Sequence, residues 1–135
     1  MTKSMNRVFL MGNVGKDPEI RTMQDGTLIA NFSLATTESW KDKVTGEKKE
    51  ATEWHNVSVF NPTEVAKIQQ NLKKGDNVKI EGQIKTRKWT DKQGQQKTIT
   101  EIVISKFHGD VSWMMPPSKQ TNNYNSLLQD DDLPF

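Results

Sequence analysis

Apolar and polar residues alternate over much of residues 5–112, a pattern typical of half-buried β-strands. The clearest example is 28–34, where every second residue is Leu, Ala or Phe and two of the three residues between them are polar. Asp25–Gly26 is a strong hairpin-turn signal between Glu19–Gln24 and Thr27–Thr37. Longer hairpin loops are predicted for Lys41–Glu50 and around Gly94. The pattern therefore predicts a mostly β protein.

One helix is predicted among the strands. Asn61 can cap it, Pro62 suits its first position, and Glu64 completes a start that resembles a capping box. Apolar residues at 65, 68 and 72 then share one face, and Gly75 ends the helix. Three strand runs, one helix and two more strands predict an all-β fold with a small inserted helix. The expected architecture is a five-stranded β-barrel of the oligonucleotide-binding type.

Large aromatic residues fall on the polar side of two strands. In the strand 52–61, two valines and His55 mark the apolar face, so Trp54 and Phe60 project from the opposite face. In the next strand, Val78, Ile80 and Ile84 mark the buried side. Its other face carries a tryptophan among cations: Lys79, Lys85, Arg87 and Trp89.

Single-stranded nucleic acid would explain this placement. Each stack of a base on an exposed aromatic ring contributes about 1–3 kcal/mol. Lys and Arg between the rings can follow the phosphates, which makes binding salt-dependent. Burial of the same aromatics in a subunit interface is the alternative, and a bulge that shifts the register is a third.

Composition narrows the function classes. Only 33% of the residues are hydrophobic, and the chain has no cysteine and two histidines. The lack of cysteine excludes disulfides, thiol catalysis and sulfur-ligated zinc, and no nucleophile–base pair is evident. We therefore expect neither an enzyme nor a bound metal or cofactor. No apolar run approaches the roughly 20 residues of a membrane helix, and the first residues do not resemble a signal peptide. These features predict a cytoplasmic protein that is not bound to a membrane.

Basic residues are concentrated in the first part of the chain, and its end is acidic. All but one of the 19 Lys and Arg residues precede residue 113. Residues 116–126 are polar and contain two prolines, which predicts a disordered linker at 113–129 after a domain at 1–112. At 130–135, three aspartates lead into Leu133, Pro134 and Phe135. Apolar groups at the end of such an arm are typical of a peptide that docks on a partner.

Several stretches together resemble the bacterial single-stranded DNA-binding protein family along nearly the whole chain. They are Asn6–Val8, Gly12–Glu19, Leu34–Thr36, Glu38–Trp40, Thr52–His55, Lys74–Gly75, Ile80–Gly82, Thr86–Asp91 and Asp130–Phe135. The resemblance implies a five-stranded barrel of the oligonucleotide-binding fold, assembled as a homotetramer that wraps single-stranded DNA. Asn56 departs from the family, which often has a basic residue there, so one phosphate contact is expected to be missing.

The resemblance also implies roles for individual residues. The base-stacking side chains would be Trp40, Trp54, Phe60 and Trp89. The phosphate-binding side chains would be Arg7, Arg21, Lys43, Lys49, Arg87 and Lys88. His55 would contribute to subunit contacts. The acidic tip would dock replication, recombination and repair proteins through Asp130, Asp131, Asp132, Leu133, Pro134 and Phe135.

The prediction is thus a cytoplasmic, nucleoid-associated protein that binds and protects single-stranded DNA regardless of sequence and recruits partners through its tip. Two alternatives stay open. An RNA-binding barrel of the same fold would use the same stacking side chains. An oligomeric adaptor would bury its aromatics in interfaces and act through its tail.

Overall fold

The computed structural model describes residues 3–114. This part of the chain folds into one helix and seven strands. The elements are β1 (Val8–Val14), β2 (Glu19–Thr22), β3 (Leu28–Lys41), β4 (Lys48–Val59), α1 (Pro62–Asn71), β5 (Asn77–Thr90), β6 (Gln96–Ile104) and β7 (Asp110–Trp113).

Five of these strands form a closed barrel, as predicted. The strand order is β1-β3-β4-β6-β5, and β5 returns to pair with β1. The antiparallel pairing of β1 with β5, in which Val8 lies opposite Gly82, closes the barrel. β4 and β6 form a parallel pair. The other two strands have four residues each. β2 extends the sheet beside β3, and β7 lies beside the first part of β5. β2 lies within Glu19–Gln24, the first arm of the hairpin predicted at Asp25–Gly26. β7 was not predicted, because so short a strand carries little periodic signal.

The barrel core consists of side chains that alternate inward along the strands. The buried apolar residues include Ala30, Phe32, Leu34, Val57, Val59, Val78, Ile80, Ile102, Ile104 and Val111. Ile84 was predicted to be buried with Val78 and Ile80, and this was wrong, since 49% of it is exposed. Ile84 pairs with Ile102 near the point where β5 and β6 leave the barrel. It lies on the predicted side of β5, but among residues 3–114 no neighbouring side chains cover it there.

The hairpins follow the predicted turns, although the loops differ in length. Gly26 occupies its turn with φ +89°, which a residue with a side chain rarely adopts. The loop predicted for Lys41–Glu50 is shorter, because pairing continues out to Lys41 and Lys48. Asp42 closes the remaining turn by accepting a hydrogen bond from the Val44 N–H at 2.7 Å.

Helix α1 closes one end of the barrel. Asn61 caps it as predicted, and its side-chain oxygen accepts hydrogen bonds from the Thr63 and Glu64 N–H groups. Glu64 does not complete the expected capping box. Its buried carboxylate instead accepts a hydrogen bond from the Val111 N–H at 2.8 Å, which ties the helix to β7. The helix ends at Asn71, four residues before Gly75.

The predicted linker at 113–129 and the acidic tip lie outside the described residues, except Trp113 and Met114. Within residues 3–114, α1 is too short and too polar to span a membrane.

Candidate nucleic-acid interface

β4 presents a row of side chains on the outer surface of the barrel. Trp54, Asn56 and Ser58 alternate with the buried valines of this strand, and Phe60 continues the row just beyond it. Trp54 is 61% exposed, Phe60 is half-buried, and Ser58 is buried. The predicted outward placement of Trp54 is therefore present, whereas Ser58 belongs to a buried polar cluster.

β5 carries the second outward row, which consists of Lys85, Arg87 and Trp89. Their direct partners on β6 are Glu101, Ile99 and Lys97. The indole of Trp89 is 42% exposed. The Lys97 ammonium lies 5.7 Å from the centroid of its ring, a distance at which a cation–π attraction operates.

The fold brings the two rows to one surface. β4 and β6 pair only over Val57–Val59 and Ile102–Ile104, so the β3–β4 and β5–β6 hairpins extend beyond this contact as separate arms. A depression of about 210 Å³ is lined by both arms, including Asn56 of β4 and Arg87 of β5. Lys16 adds a cation to its wall. We call this depression with its two rows the outer face.

A buried polar cluster underlies the outer face. The Ser58 hydroxyl lies 2.7 Å from the Asn31 side-chain oxygen and 3.0 Å from a carboxylate oxygen of Glu101. The other Glu101 oxygen accepts a hydrogen bond from Arg87 Nε at 3.2 Å. Because Glu101 is buried while Arg87 is exposed, the carboxylate anchors the guanidinium beneath a solvent-facing surface. Neither Ser58 nor Glu101 was identified from the sequence.

Trp54 packs against another residue that the sequence did not single out. The six-membered part of its indole lies where a Cβ atom on Gly15 would stand. The absence of a side chain at Gly15 thus permits this ring position.

Trp40 does not share a face with Trp54. Ala35 pairs with Trp54, and Trp40 pairs with Lys49 in the same unbroken register. Positions 35 and 40 differ by an odd number of residues, so strict alternation places the two tryptophans on opposite faces of the β3–β4 arm. Trp40 is nevertheless about half exposed.

The predicted phosphate-binding cations are distributed over several surfaces. Arg7 pairs with Glu81, Arg21 with Glu19 at 2.9 Å, and Lys49 with Asp42 at 3.0 Å. Lys43 lies in the β3–β4 turn, and Lys88 lies on the face of β5 opposite Arg87. Within residues 3–114, neither of these two lysines forms an ion pair.

His55 lies on the inner side of β4, opposite Leu34. Its Nε2 atom is 2.9 Å from the Thr36 hydroxyl, and the residue is partly buried. It is therefore not part of the outer face. Among residues 3–114, no three His, Asp or Glu side chains are grouped to hold a metal ion.

Comparison with known proteins identifies the family. Residues 5–109 match the model of the Single-strand binding protein family. The chain belongs to this family. Proteins of the single-strand binding family are non-catalytic and bind single-stranded DNA.

Similar proteins cover most of the chain. A single-stranded DNA-binding protein of Rickettsia conorii is 47% identical over 125 residues, which are 93% of this chain and 81% of the relative. The Rickettsia felis counterpart is 48% identical over 124 residues, 92% of this chain and 80% of the relative. Among solved structures, a Plasmodium falciparum SSB in complex with ssDNA superimposes with a TM-score of 0.77 at 40% identity. That match covers 85% of this chain and 99% of the other.

Proposed function

We propose that this protein binds single-stranded DNA regardless of sequence and protects it while it is unpaired. The observation that carries the proposal is the pair of exposed indoles, Trp54 and Trp89, on the two arms that border the outer face. A solvent-exposed tryptophan leaves a large apolar area in water. Stacking on unpaired bases would cover that area.

The chemistry of the outer face favours binding without sequence preference. Every base has a π-face, so stacking on Trp54, Trp89 and Phe60 does not distinguish one base from another. Arg87 and Lys16 line the depression together with Glu19 and Glu101. The two cations can contact phosphates, whose charge is independent of sequence. The other predicted contacts would extend the path of the DNA around the barrel. They involve Trp40, Arg7, Arg21, Lys43, Lys49 and Lys88.

A homotetramer is part of the proposal. The family resemblance implies it, and β1 offers a surface suited to subunit contact. Phe9 and Met11 are 62% and 58% exposed on the outer side of β1. Among the described strands, β3 pairs with β1 only at Asn13 and Val14. The remaining edge of β1 is available to a strand of another subunit. His55 would contribute to another contact between subunits.

The acidic tip would recruit proteins of replication, recombination and repair. The support is in the sequence, where three aspartates precede Leu133 and Phe135 after a polar linker. Because the tip and the barrel are separate parts of the chain, the tip could bind a partner while the barrel holds DNA. This role places the protein in the cytoplasm, at the nucleoid.

Titration with a long oligo-dT at two salt concentrations tests the binding proposal. We expect quenching of tryptophan fluorescence by the single strand, little effect of duplex DNA, and affinity that falls as salt rises. If no nucleic acid changed either the fluorescence or the sedimentation of the protein, the adaptor alternative would replace this proposal. A matched RNA oligonucleotide that bound more tightly than the DNA would favour the RNA alternative.

A further inference from the structure

A groove at one end of the outer face combines aromatic rings with cations. It has a volume of about 430 Å³, and its lining includes Phe60, Val103, Phe107, Lys85, Arg87 and Lys106. We call it the Phe60–Phe107 groove. Phe107 is 85% exposed, although a phenylalanine gains more by burial than by contact with water. Neither the sequence motifs nor the family resemblance assigned a role to Phe107.

The loop that carries Phe107 is held in place by specific contacts. The Ser105 hydroxyl accepts a hydrogen bond from the His108 backbone N–H at 3.2 Å and donates one to the His108 backbone carbonyl at 3.3 Å. The side-chain N–H of Asn61 donates a hydrogen bond to the Lys106 carbonyl at 3.2 Å, which links the loop to the start of α1. Gly109 then adopts φ +105°, a conformation that favours glycine. The exposed ring is therefore presented by a structured turn.

The groove continues the outer face. The β4 row runs from Trp54 to Phe60, which contributes to the groove. The β5 row runs from Trp89 through Arg87 to Lys85, and the latter two also line it. A DNA strand that follows either row away from the tryptophans would therefore reach the Phe60–Phe107 groove.

The charge of the groove suits an anionic polymer. Among residues 3–114, the one carboxylate that lines it belongs to Glu101, which pairs with Arg87. Within residues 3–114, Lys85 and Lys106 form no ion pair, so both ammonium groups are available to phosphates.

We propose that Phe107 is an additional base-stacking residue and that the Phe60–Phe107 groove, with Lys85 and Lys106 on its phosphate side, extends the path of single-stranded DNA. This inference rests on the proposed function. Continuity of the groove with both rows favours nucleic acid over an acidic peptide.

Three substitutions in the full-length chain separate stacking from simple apolar contact. Phe107→Ala removes the side chain, Phe107→Leu keeps its apolar character without a π-face, and Phe107→Trp keeps an aromatic ring. We expect Phe107→Ala and Phe107→Leu to weaken binding of a long oligo-dT by about fivefold or more, the low end for loss of one stack. Phe107→Trp should bind like the wild type and show extra quenching. Lys106→Ala should reduce the slope of log affinity against log salt by about 0.7.

Control measurements distinguish a failure of this inference from loss of the fold or of DNA binding as a whole. Thermal unfolding should be unchanged, since Phe107 is exposed. Wild-type affinity in all three variants would overturn the inference, as would normal affinity in Phe107→Leu alone. If the variants lost affinity for a synthetic Asp130–Phe135 peptide but not for oligo-dT, the groove would be a peptide site and the inference would be wrong. A wild-type protein that failed to bind oligo-dT would overturn the proposed function itself.

Discussion

The indole of Trp54 lies against the backbone of Gly15, in the space that a side chain at position 15 would fill. Gly15 follows directly after β1, and Trp54 is in the middle of β4. The Gly15 N–H donates a hydrogen bond to the Ser33 carbonyl at 3.0 Å, which fixes this backbone beside β3. Gly15 is therefore a positioning residue for the exposed ring.

Gly15→Ala should weaken binding of single-stranded DNA by displacing the Trp54 ring. The backbone at Gly15 does not need a positive φ, so we expect the fold to persist. A double-mutant cycle provides the measurement. Gly15→Ala should lower oligo-dT affinity in the wild type and have little effect in a Trp54→Ala background. Equal losses in both backgrounds would show that Gly15 acts independently of Trp54.

Trp54→Ala and Trp89→Ala should each reduce affinity by about 1–3 kcal/mol, the range for one lost base–aromatic stack. Both rings are substantially exposed, so unfolding temperatures should change little. Fluorescence titration gives the affinities, and light scattering gives the oligomeric state. Unchanged affinity together with a dissociated oligomer would favour the interface explanation of these tryptophans.

Glu101→Gln should strengthen DNA binding. The substitution keeps an acceptor for the Ser58 hydroxyl but removes the negative charge that holds Arg87 at 3.2 Å. The released guanidinium can then contact a phosphate, and the salt slope should steepen by up to about 0.7. Affinity measured at several salt concentrations tests this. Weaker binding by a folded variant would mean that the carboxylate is needed to orient Arg87 for DNA.

Asp42 should stabilise the β3–β4 turn in a pH-dependent way. The Lys49 ammonium and the Val44 and Thr45 N–H groups lower the pKa of this carboxyl from 3.8. Because the folded pKa lies below the unfolded one, the stabilisation is present above pH 3.8 and is lost as the pH falls through the folded pKa. Asp42→Asn should lower the unfolding temperature at pH 7, and the difference from the wild type should shrink below pH 3.8. A difference that did not vary with pH would exclude this charge effect.

Deletion of Asp130–Phe135 should abolish capture of partner proteins while DNA binding is kept or slightly strengthened, since an anionic competitor is removed. Pull-down with the full-length and truncated chains measures the first effect, and oligo-dT titration the second. A matched control replaces only Leu133 and Phe135 by Ala, which keeps the three aspartates. Loss of DNA binding in the truncated chain would contradict the separation of the two functions.

Much of the architecture could be predicted because local patterns specify it. Asp25–Gly26 predicted a hairpin, and Asn61 predicted the start of α1, because turns and caps depend on a few neighbouring residues. Alternation along β4 predicted that Trp54 faces outward, since successive side chains of a strand point to opposite faces. The same rule, applied to β3, also indicates that Trp40 lies on the other face of its arm once the pairing is known.

Other features depend on contacts between distant parts of the chain. Ile84 has the correct alternation for burial, but its exposure depends on where β5 leaves the barrel. Ser58 meets Glu101 only because β4 and β6 pair in parallel across 43 positions of sequence. The Phe60–Phe107 groove requires the β6–β7 loop to fold back beside the start of α1.

The sequence by itself determined the strand-rich fold, the helix cap, the outward face of Trp54 and the family. Only the tertiary structure decided that β1 closes on β5, that Gly15 makes room for an indole, and that Phe107 shares a groove with Phe60. The physical reason is that alternation fixes the side of a strand on which a residue lies, whereas packing and pairing between strands fix which distant residues it meets.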